Sequence, residues 1–217
     1  MKDAFYKLTL VTRKQATPIS QYLAFIESCV KAGVTAIQLR EKNLAFDELL
    51  KFGQQLKTIL KPYSVPLIIN DNVELAYQLN VEGVHLGQTD GDILAARQKL
   101  GKDKIIGLTV DNIEQLHRAN LLPVDYIGIG AVFPTQNKSN ISTVWGCEGL
   151  AQIASLSKHR IIAIGGIDQT NAAQVMQAGA HGIAAIGAFH EAADLKFITQ
   201  YLRKIIDNNK LERVDHA

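Results

Sequence analysis

The stretch Arg160-Ile161-Ile162-Ala163-Ile164-Gly165-Gly166 decides the fold. Its central residues are apolar without alternation. A strand with one wet face alternates polar and apolar side chains, whereas a run apolar throughout is covered on both faces, as in a parallel sheet flanked by helices. Two glycines end the run and a helical stretch follows at 169–178. That stretch runs out at Ala178-Gly179, where glycine can take the left-handed C′ conformation. A second β-rich run then begins at 182.

Outward from this unit, the same β-then-α alternation recurs eight times. Strands are expected at 8–12, 36–41, 66–71, 83–87, 104–110, 125–133, 160–166 and 182–189, with helices near 19–32, 46–60, 73–80, 91–100, 112–120, 147–157, 169–178 and 192–207. Thr17-Pro18 opens the first helix, Gly33 ends it, and Gly101 closes the fourth. Eight such units with no odd domain left over predict an α/β fold, a single-domain (β/α)8 TIM barrel over 1–207. The polar tail at 208–217 is expected to fray. A doubly wound open sheet is the structural alternative. No linker or low-complexity segment interrupts the alternation.

Composition narrows the function. Of 217 residues, 47% are hydrophobic and 20% charged, which suits a soluble globular protein with a sizeable core. The net charge is only +2 and no Lys/Arg run exceeds two residues, so neither nucleic acid nor a membrane surface is the expected partner. Met1 to Lys7 lacks the apolar segment of a secretory signal. Cys29 and Cys147 have neither disulfide-framework nor metal-ligand spacing. Two sequons begin at Asn137 and Asn140, but without export they stay unmodified. The expectation is a cytoplasmic enzyme acting on small molecules, with assembly into a homo-oligomer left open.

In such a barrel, function belongs at the C-terminal ends of strands and the loops that follow. After the second strand, Gln38, Arg40 and Lys42 project to one side, because alternate residues of a strand share a face. Two cations and an amide facing inward are costly in a hydrocarbon core. An anionic ligand would compensate them. The third strand ends in Asn70-Asp71 and the fourth loop reads Gly87-Gln88-Thr89-Asp90. Asp71 and Asp90 at one mouth suit a hard metal ion bridging to phosphate oxygens. Equally, both could serve as helix caps. His85, in the fourth strand, is either a satisfied core residue or a site residue.

The sixth loop, Gly130 to Lys138, gathers hydroxyl, amide and ammonium groups in Thr135, Asn137 and Lys138, and it is too long for a minimal turn. Gly165-Gly166 and Ile186-Gly187-Ala188 stand at the last two strand ends, where backbone N–H groups commonly meet a phosphate.

Five blocks carry a family resemblance. They are Gly33 to Lys42, Leu67 to Asp71, Gly83 to Asp90, Val132 to Lys138, and Ala163 to Ile167. In this order and spacing the chain resembles the thiamin phosphate synthase family along almost its whole length. The resemblance implies attack of a thiazole phosphate on an aminopyrimidine methyl pyrophosphate, with release of pyrophosphate. It implies that Arg40, Lys42, Asn70 and Lys138 hold the pyrophosphate, with Arg40, Lys42 and Lys138 acting in catalysis. Asp71 and Asp90 would bind Mg2+. Gln38 and His85 would line the pyrimidine pocket, with Thr109 nearby. Thr135 and Asn137 would approach the thiazole phosphate, and Gly166 with the Ile186-Gly187 turn would offer it backbone N–H groups.

The chain also departs from the family's usual pattern. Asn72 stands for Arg, Thr109 for Ser, Ala131 for Pro, Asn137 for Thr and Gly187 for Ser, and the segment 139–146 with Trp145 is unusual. Most of these changes lie on the thiazole side. The nearest rival is the thiazole tautomerase branch, which typically carries His where this chain has Ala131. A catalytically silent phosphate-binding barrel is the rival from another class.

Overall fold

The structure is a computed structural model and describes residues 5–137 and 143–214, with side chains through residue 209. Eight parallel strands close into a barrel in chain order: β1 (Leu8–Val11), β2 (Ala36–Leu39), β3 (Leu67–Asn70), β4 (Gly83–Leu86), β5 (Ile105–Val110), β6 (Tyr126–Ile129), β7 (Arg160–Ile164) and β8 (Gly182–Ala185). β8 returns to β1 with Leu8 opposite Ile183 and Leu10 opposite Ala185, so no sheet edge remains. Helices follow the strands: α1 (Ile19–Ala32), α2 (Phe46–Leu60), α3 (Val73–Leu79), α4 (Ile93–Leu100), α5 (Ile113–Ala119), α6 (Gly146–Leu156), α7 (Ala172–Gln177), α8 (Gly187–His190) and α9 (Leu195–Val214). Gly33 and Gly101 cap α1 and α4 at their C-terminal ends, as the sequence indicates.

The runs apolar on both faces become two cores. Outward-facing Leu8, Leu10, Ile37, Leu39 and Ile69 pack with helix residues such as Ile26, Phe52 and Leu75. Leu10 is fully buried, and truncating it to Ala is expected to cost about 2–5 kcal/mol. Inside the barrel a smaller cluster joins Val11, Ala36, Ile162, Ala184 and Ile186 to Phe5, Tyr6 and Tyr126. The Phe5 and Tyr6 rings lie 3.7 Å apart and Tyr6 meets Tyr126 edge-on at 6.0 Å, while the Arg160 guanidinium sits 5.0 Å from the Tyr6 ring. These aromatics plug the N-terminal end, where strands β5 to β7 begin. Thr9 and Gln38 are buried polar exceptions on the strands, and both face the cavity above the plug.

Most boundaries shift from the sequence expectation by no more than about three residues, and three shift further. β6 stops at Ile129, and the chain to Phe133 continues as irregular backbone laid along β7, with Val132 and Phe133 N–H groups bonded to Ile164 and Gly165 carbonyls. β8 stops at Ala185, because residues 187–190 coil into α8; a short apolar run does not distinguish strand from buried helix. The last helix continues to Val214, past residue 207. Among the described residues no helix is long and apolar enough to cross a membrane.

Candidate active site

Four polar side chains meet on the floor of the barrel mouth. His85 on β4 places Nδ1 2.9 Å from the Tyr126 hydroxyl and Nε2 2.8 Å from the Thr109 hydroxyl, and Gln38 lines the same cavity as the tyrosine. The His85 and Tyr126 rings stack with centroids 5.4 Å apart. Glycines make the room. A Cβ on Gly107 would fall 2.2 Å from the Tyr126 ring and 2.6 Å from His85, and one on Gly128 would fall 2.8 Å from the imidazole. His85 is thus held flat over two glycine positions by partners on both nitrogens. Burial pushes the Tyr126 hydroxyl well above the usual phenol range, so it stays neutral. Above it lies a cavity of about 40 Å³, lined by Thr9, Gln38, His85, Thr109 and Tyr126 among others.

On one side of this floor stand the carboxylates and two cations. Asp71 directly follows β3 in a left-handed conformation (φ 65°), its N–H donating to the His85 carbonyl at 2.8 Å. Its carboxyl faces that of Asp90, whose Oδ2 accepts from the Gly87 N–H at 2.7 Å. The Asp71 pKa rises from 3.8 to about 6, first through burial and then through the hydrogen bond and charge of Asp90, with Lys42 and Arg40 pulling the other way. Neither acid caps a helix. Asn72 caps α3 by accepting from Leu75 N–H at 2.8 Å, and Asp92 caps α4 by accepting from Ala95 N–H at 2.7 Å. The capping alternative therefore fails, and the two acids face each other without a structural duty at a helix end.

Arg40 extends from the end of β2, its backbone N–H held at 2.9 Å by the buried Thr12 hydroxyl. Lys42 lies beyond it, exposed, and among the described residues neither cation makes an ion pair. Asn70 stands beside His85 in the β3–β4 ladder. Gln38, Arg40, Lys42, Asn70, Asp71, His85, Asp90 and Thr109 thus share one half of the mouth, on β2 to β5 and the loops after them.

The other half is built from loops six and eight and the turn after β7. Gly166 has φ 66° and would bring a Cβ within 2.7 Å of both Phe133 Cβ and the Pro134 carbonyl, so only glycine lets loop six seat there. Asn171 Nδ2 donates to the Gly166 carbonyl at 2.9 Å and holds the turn. The Thr135 hydroxyl accepts from Asn137 N–H at 3.2 Å. Gly187 opens α8 next to buried Ile186, and a Cβ on it would meet Glu191 and Asn137 no closer than 3.4 Å. Lys138 lies outside the described residues. Trp145 follows the same segment; its ring packs against the outer core, its buried Nε1 has no partner among the described residues, and its backbone N–H donates to the Ala131 carbonyl at 2.9 Å.

Two residues here were not anticipated from sequence. Tyr126 opens β6 facing inward, a placement that its i, i+2 spacing to Gly128 could have shown. Arg13 follows β1, and the rule that drew attention to Arg40 applies to it equally. Its Nη1 donates to Asn137 Oδ1 at 2.8 Å and to Glu191 Oε1 at 3.0 Å.

Fold and mouth together define a (β/α)8 barrel of the anion-handling class, with a carboxylate pair and cations on one side and a glycine turn on the other. The family described as thiamine monophosphate synthase matches residues 8–189. The chain belongs to that family. It is 52% identical over 207 residues to the thiamine-phosphate synthase of Chlamydia abortus, covering 95% of this chain and 98% of that protein. To that of Vibrio campbellii it is 41% identical over 197 residues, covering 91% and 96%. The solved thiamine phosphate pyrophosphorylase from Pyrococcus furiosus superposes with a TM-score of 0.86 at 32% identity, over 96% of this chain and 99% of that one.

Proposed function

We propose that the chain is a thiamin phosphate synthase, joining an aminopyrimidine methyl pyrophosphate to a thiazole phosphate with release of pyrophosphate. The observation that carries this reading is the Asp71–Asp90 pair, pressed together beside Arg40 and Lys42 while other residues cap the helices. Two carboxylates held against each other repel, which makes them a poor structural element and a good cation site. Among the described residues no cluster of three metal-ligating side chains forms. A two-carboxylate set fits Mg2+, which keeps several waters and takes the rest of its ligands from phosphate. Asp71 and Asp90 would hold it, and when bound it neutralises charge on phosphate oxygens.

The chain's own residues do the remaining work. Arg40 and Lys42, with Asn70 and Lys138, hold the pyrophosphate and offset the charge it gains as the bond to the pyrimidine methylene breaks. The pyrimidine ring lies over the floor, where Gln38, His85 and Thr109 fix its orientation. Thr135, Asn137 and the backbone of Gly166, Ile186 and Gly187 grip the thiazole phosphate across the mouth. The thiazole nitrogen is thereby aimed at the methylene carbon. Ala131, where the tautomerase branch carries His, is a buried methyl and offers no base for an isomerisation.

The reading places the enzyme in the cytoplasm with small-molecule partners. Incubating the full chain with both phosphorylated substrates and Mg2+ tests it. Thiamin phosphate and pyrophosphate should form in equal amounts, and neither should form without Mg2+. Absence of both products under these conditions would remove the proposal.

A further inference from the structure

We infer that Arg13 is a direct ligand of the thiazole phosphate and sets the preference for phosphorylated thiazole over the free alcohol. The inference rests on the synthase reading above. β1 pairs with β8 through Leu10 and Ala185, so the chain after β1 leaves the barrel beside the Ile186-Gly187 turn. The guanidinium bears out the proximity: Nη1 reaches Asn137 Oδ1 at 2.8 Å and Glu191 Oε1 at 3.0 Å. Those same two residues border the space over Gly187, where a Cβ would lie 3.5 Å from Asn137 Nδ2 and 3.4 Å from Glu191 Oε2. Arg13, Asn137, Gly187 and Glu191 enclose one volume at the phosphate side of the mouth.

Three features suit Arg13 to an anion. First, it is held in place from below. Its N–H donates to the Tyr22 hydroxyl at 2.7 Å; that hydroxyl lies 2.7 Å from His190 Nε2, and the two rings stack at 5.8 Å. Second, its charge is under-compensated. The side chain is 27% exposed while its carboxylate partner Glu191 is 65% exposed, and among the described residues its buried Nε has no acceptor. A guanidinium offers five N–H donors in a planar fork. Among the described residues both acceptors fall on Nη1. Third, Arg13 donates only, which fixes the Asn137 amide with its oxygen toward the guanidinium and Nδ2 toward Gly187. An anion above Gly187 would meet two sets of donors.

Glu191 defines the opposing influence. Its carboxylate and an incoming phosphate compete for one guanidinium and repel each other. It therefore acts as a place-holding counter-ion that weakens phosphate binding. The competing possibility is that Arg13 only anchors loop six through Asn137. An anchor would disturb both substrates, because Lys138 follows Asn137 on the same loop. A phosphate ligand would disturb one.

Steady-state kinetics of the full chain with Mg2+ decide between them, using wild type, Arg13→Gln, Arg13→Lys and Glu191→Gln. Each is assayed with thiazole phosphate and with the unphosphorylated thiazole alcohol. Arg13→Gln should raise the KM for thiazole phosphate about ten-fold or more, the loss of one charge-assisted contact. The preference for the phosphorylated thiazole should contract by the same factor, while the KM for the pyrimidine pyrophosphate moves less than about two-fold on that scale. Arg13→Lys should restore part of the preference, and Glu191→Gln should lower the thiazole-phosphate KM. A parallel rise in both KM values, or an unchanged preference in Arg13→Gln, overturns the inference and leaves synthase activity standing. Should Arg13→Gln fail to fold, the lysine variant and Glu191→Gln decide the matter by the same ratio. Should wild type form no thiamin phosphate at all, the synthase reading falls. Calorimetric titration of thiazole phosphate into wild type and Arg13→Lys then judges the ligand by itself, and equal affinities reject it.

Discussion

Replacing Asp90 by Asn should make the protein more stable and nearly inactive. Asp71 stands against Asp90, and its pKa is raised from 3.8 to about 6. A carboxylic acid with a raised folded-state pKa stabilises the fold while protonated, and that contribution is lost as pH rises through the raised value. Between about pH 4 and pH 7 the wild-type fold therefore loses stability at this site. The full shift corresponds to at most about 3 kcal/mol, and solvent at the half-open mouth reduces it to about 1–2 kcal/mol. Burial is its first cause and persists in the variant, so the share belonging to Asp90 is about 0.5–1 kcal/mol. Asn keeps an oxygen for the Gly87 N–H and turns an amide donor toward Asp71, replacing repulsion with a hydrogen bond.

Thermal unfolding in chelator should show the variant about 1–4 °C above wild type at pH 7.5. The gap should close toward pH 4, where Asp71 is protonated in both. Added Mg2+ should raise the midpoint of wild type and leave the variant unmoved, and turnover should fall at least about 100-fold. An Asp90→Asn midpoint equal to or below wild type at pH 7.5 in chelator would refute the paired-carboxylate argument. A retained Mg2+ shift would refute the metal assignment separately.

Lys138→Ala should cost roughly 2 kcal/mol or more of transition-state stabilisation, read as kcat/KM, and a wild-type value would remove Lys138 from the pyrophosphate set. Gly187→Ser should tighten thiazole-phosphate binding by roughly 0.5–1.5 kcal/mol, one net hydrogen bond, because the new Cβ meets only ordinary contacts and Gly187 is not left-handed. A raised KM for that substrate with lower stability would mean the turn has another geometry. Tyr126→Phe strips the hydroxyl that His85 Nδ1 meets, and should lower stability by about 1–3 kcal/mol in denaturant unfolding; no loss would show that water satisfies the imidazole.

The barrel was legible because its strands are apolar on both faces, a pattern that parallel strands covered by helices produce and half-solvated strands do not. Its boundaries were legible only where chemistry marks them, as Gly33 and Gly101 do. Ile186-Gly187-Ala188-Phe189 carries no such mark, and a four-residue helix is too short to show a period. The two acids illustrate a different limit. Asp71 and Asp90 each stand one or two residues from the true caps, Asn72 and Asp92, and composition cannot choose between neighbours so close. Arg13 escaped for a simpler reason: its neighbours at 137, 187 and 191 are distant in sequence and meet only when β8 closes on β1.

The floor and the rim divide the chemistry between them. His85 has both ring nitrogens engaged, and Tyr126 is kept neutral by burial, so among the described residues the floor offers shape and directed hydrogen bonds but no free imidazole nitrogen. The charged groups of the site stand above it. Arg40 and Lys42 face the acid pair on one side, and Arg13 stands at Asn137 and Glu191 on the other. A site arranged for proton abstraction would place a base next to the ring that reacts. This one places neutral donors there and keeps charge where phosphate groups would sit. That division suits a reaction whose demand is to separate a pyrophosphate from a pyrimidine cation and present a second ring to it, with little need for general acid–base help. The two glycines beneath His85 belong to the same design, since any side chain at 107 or 128 would collide with the imidazole and displace it.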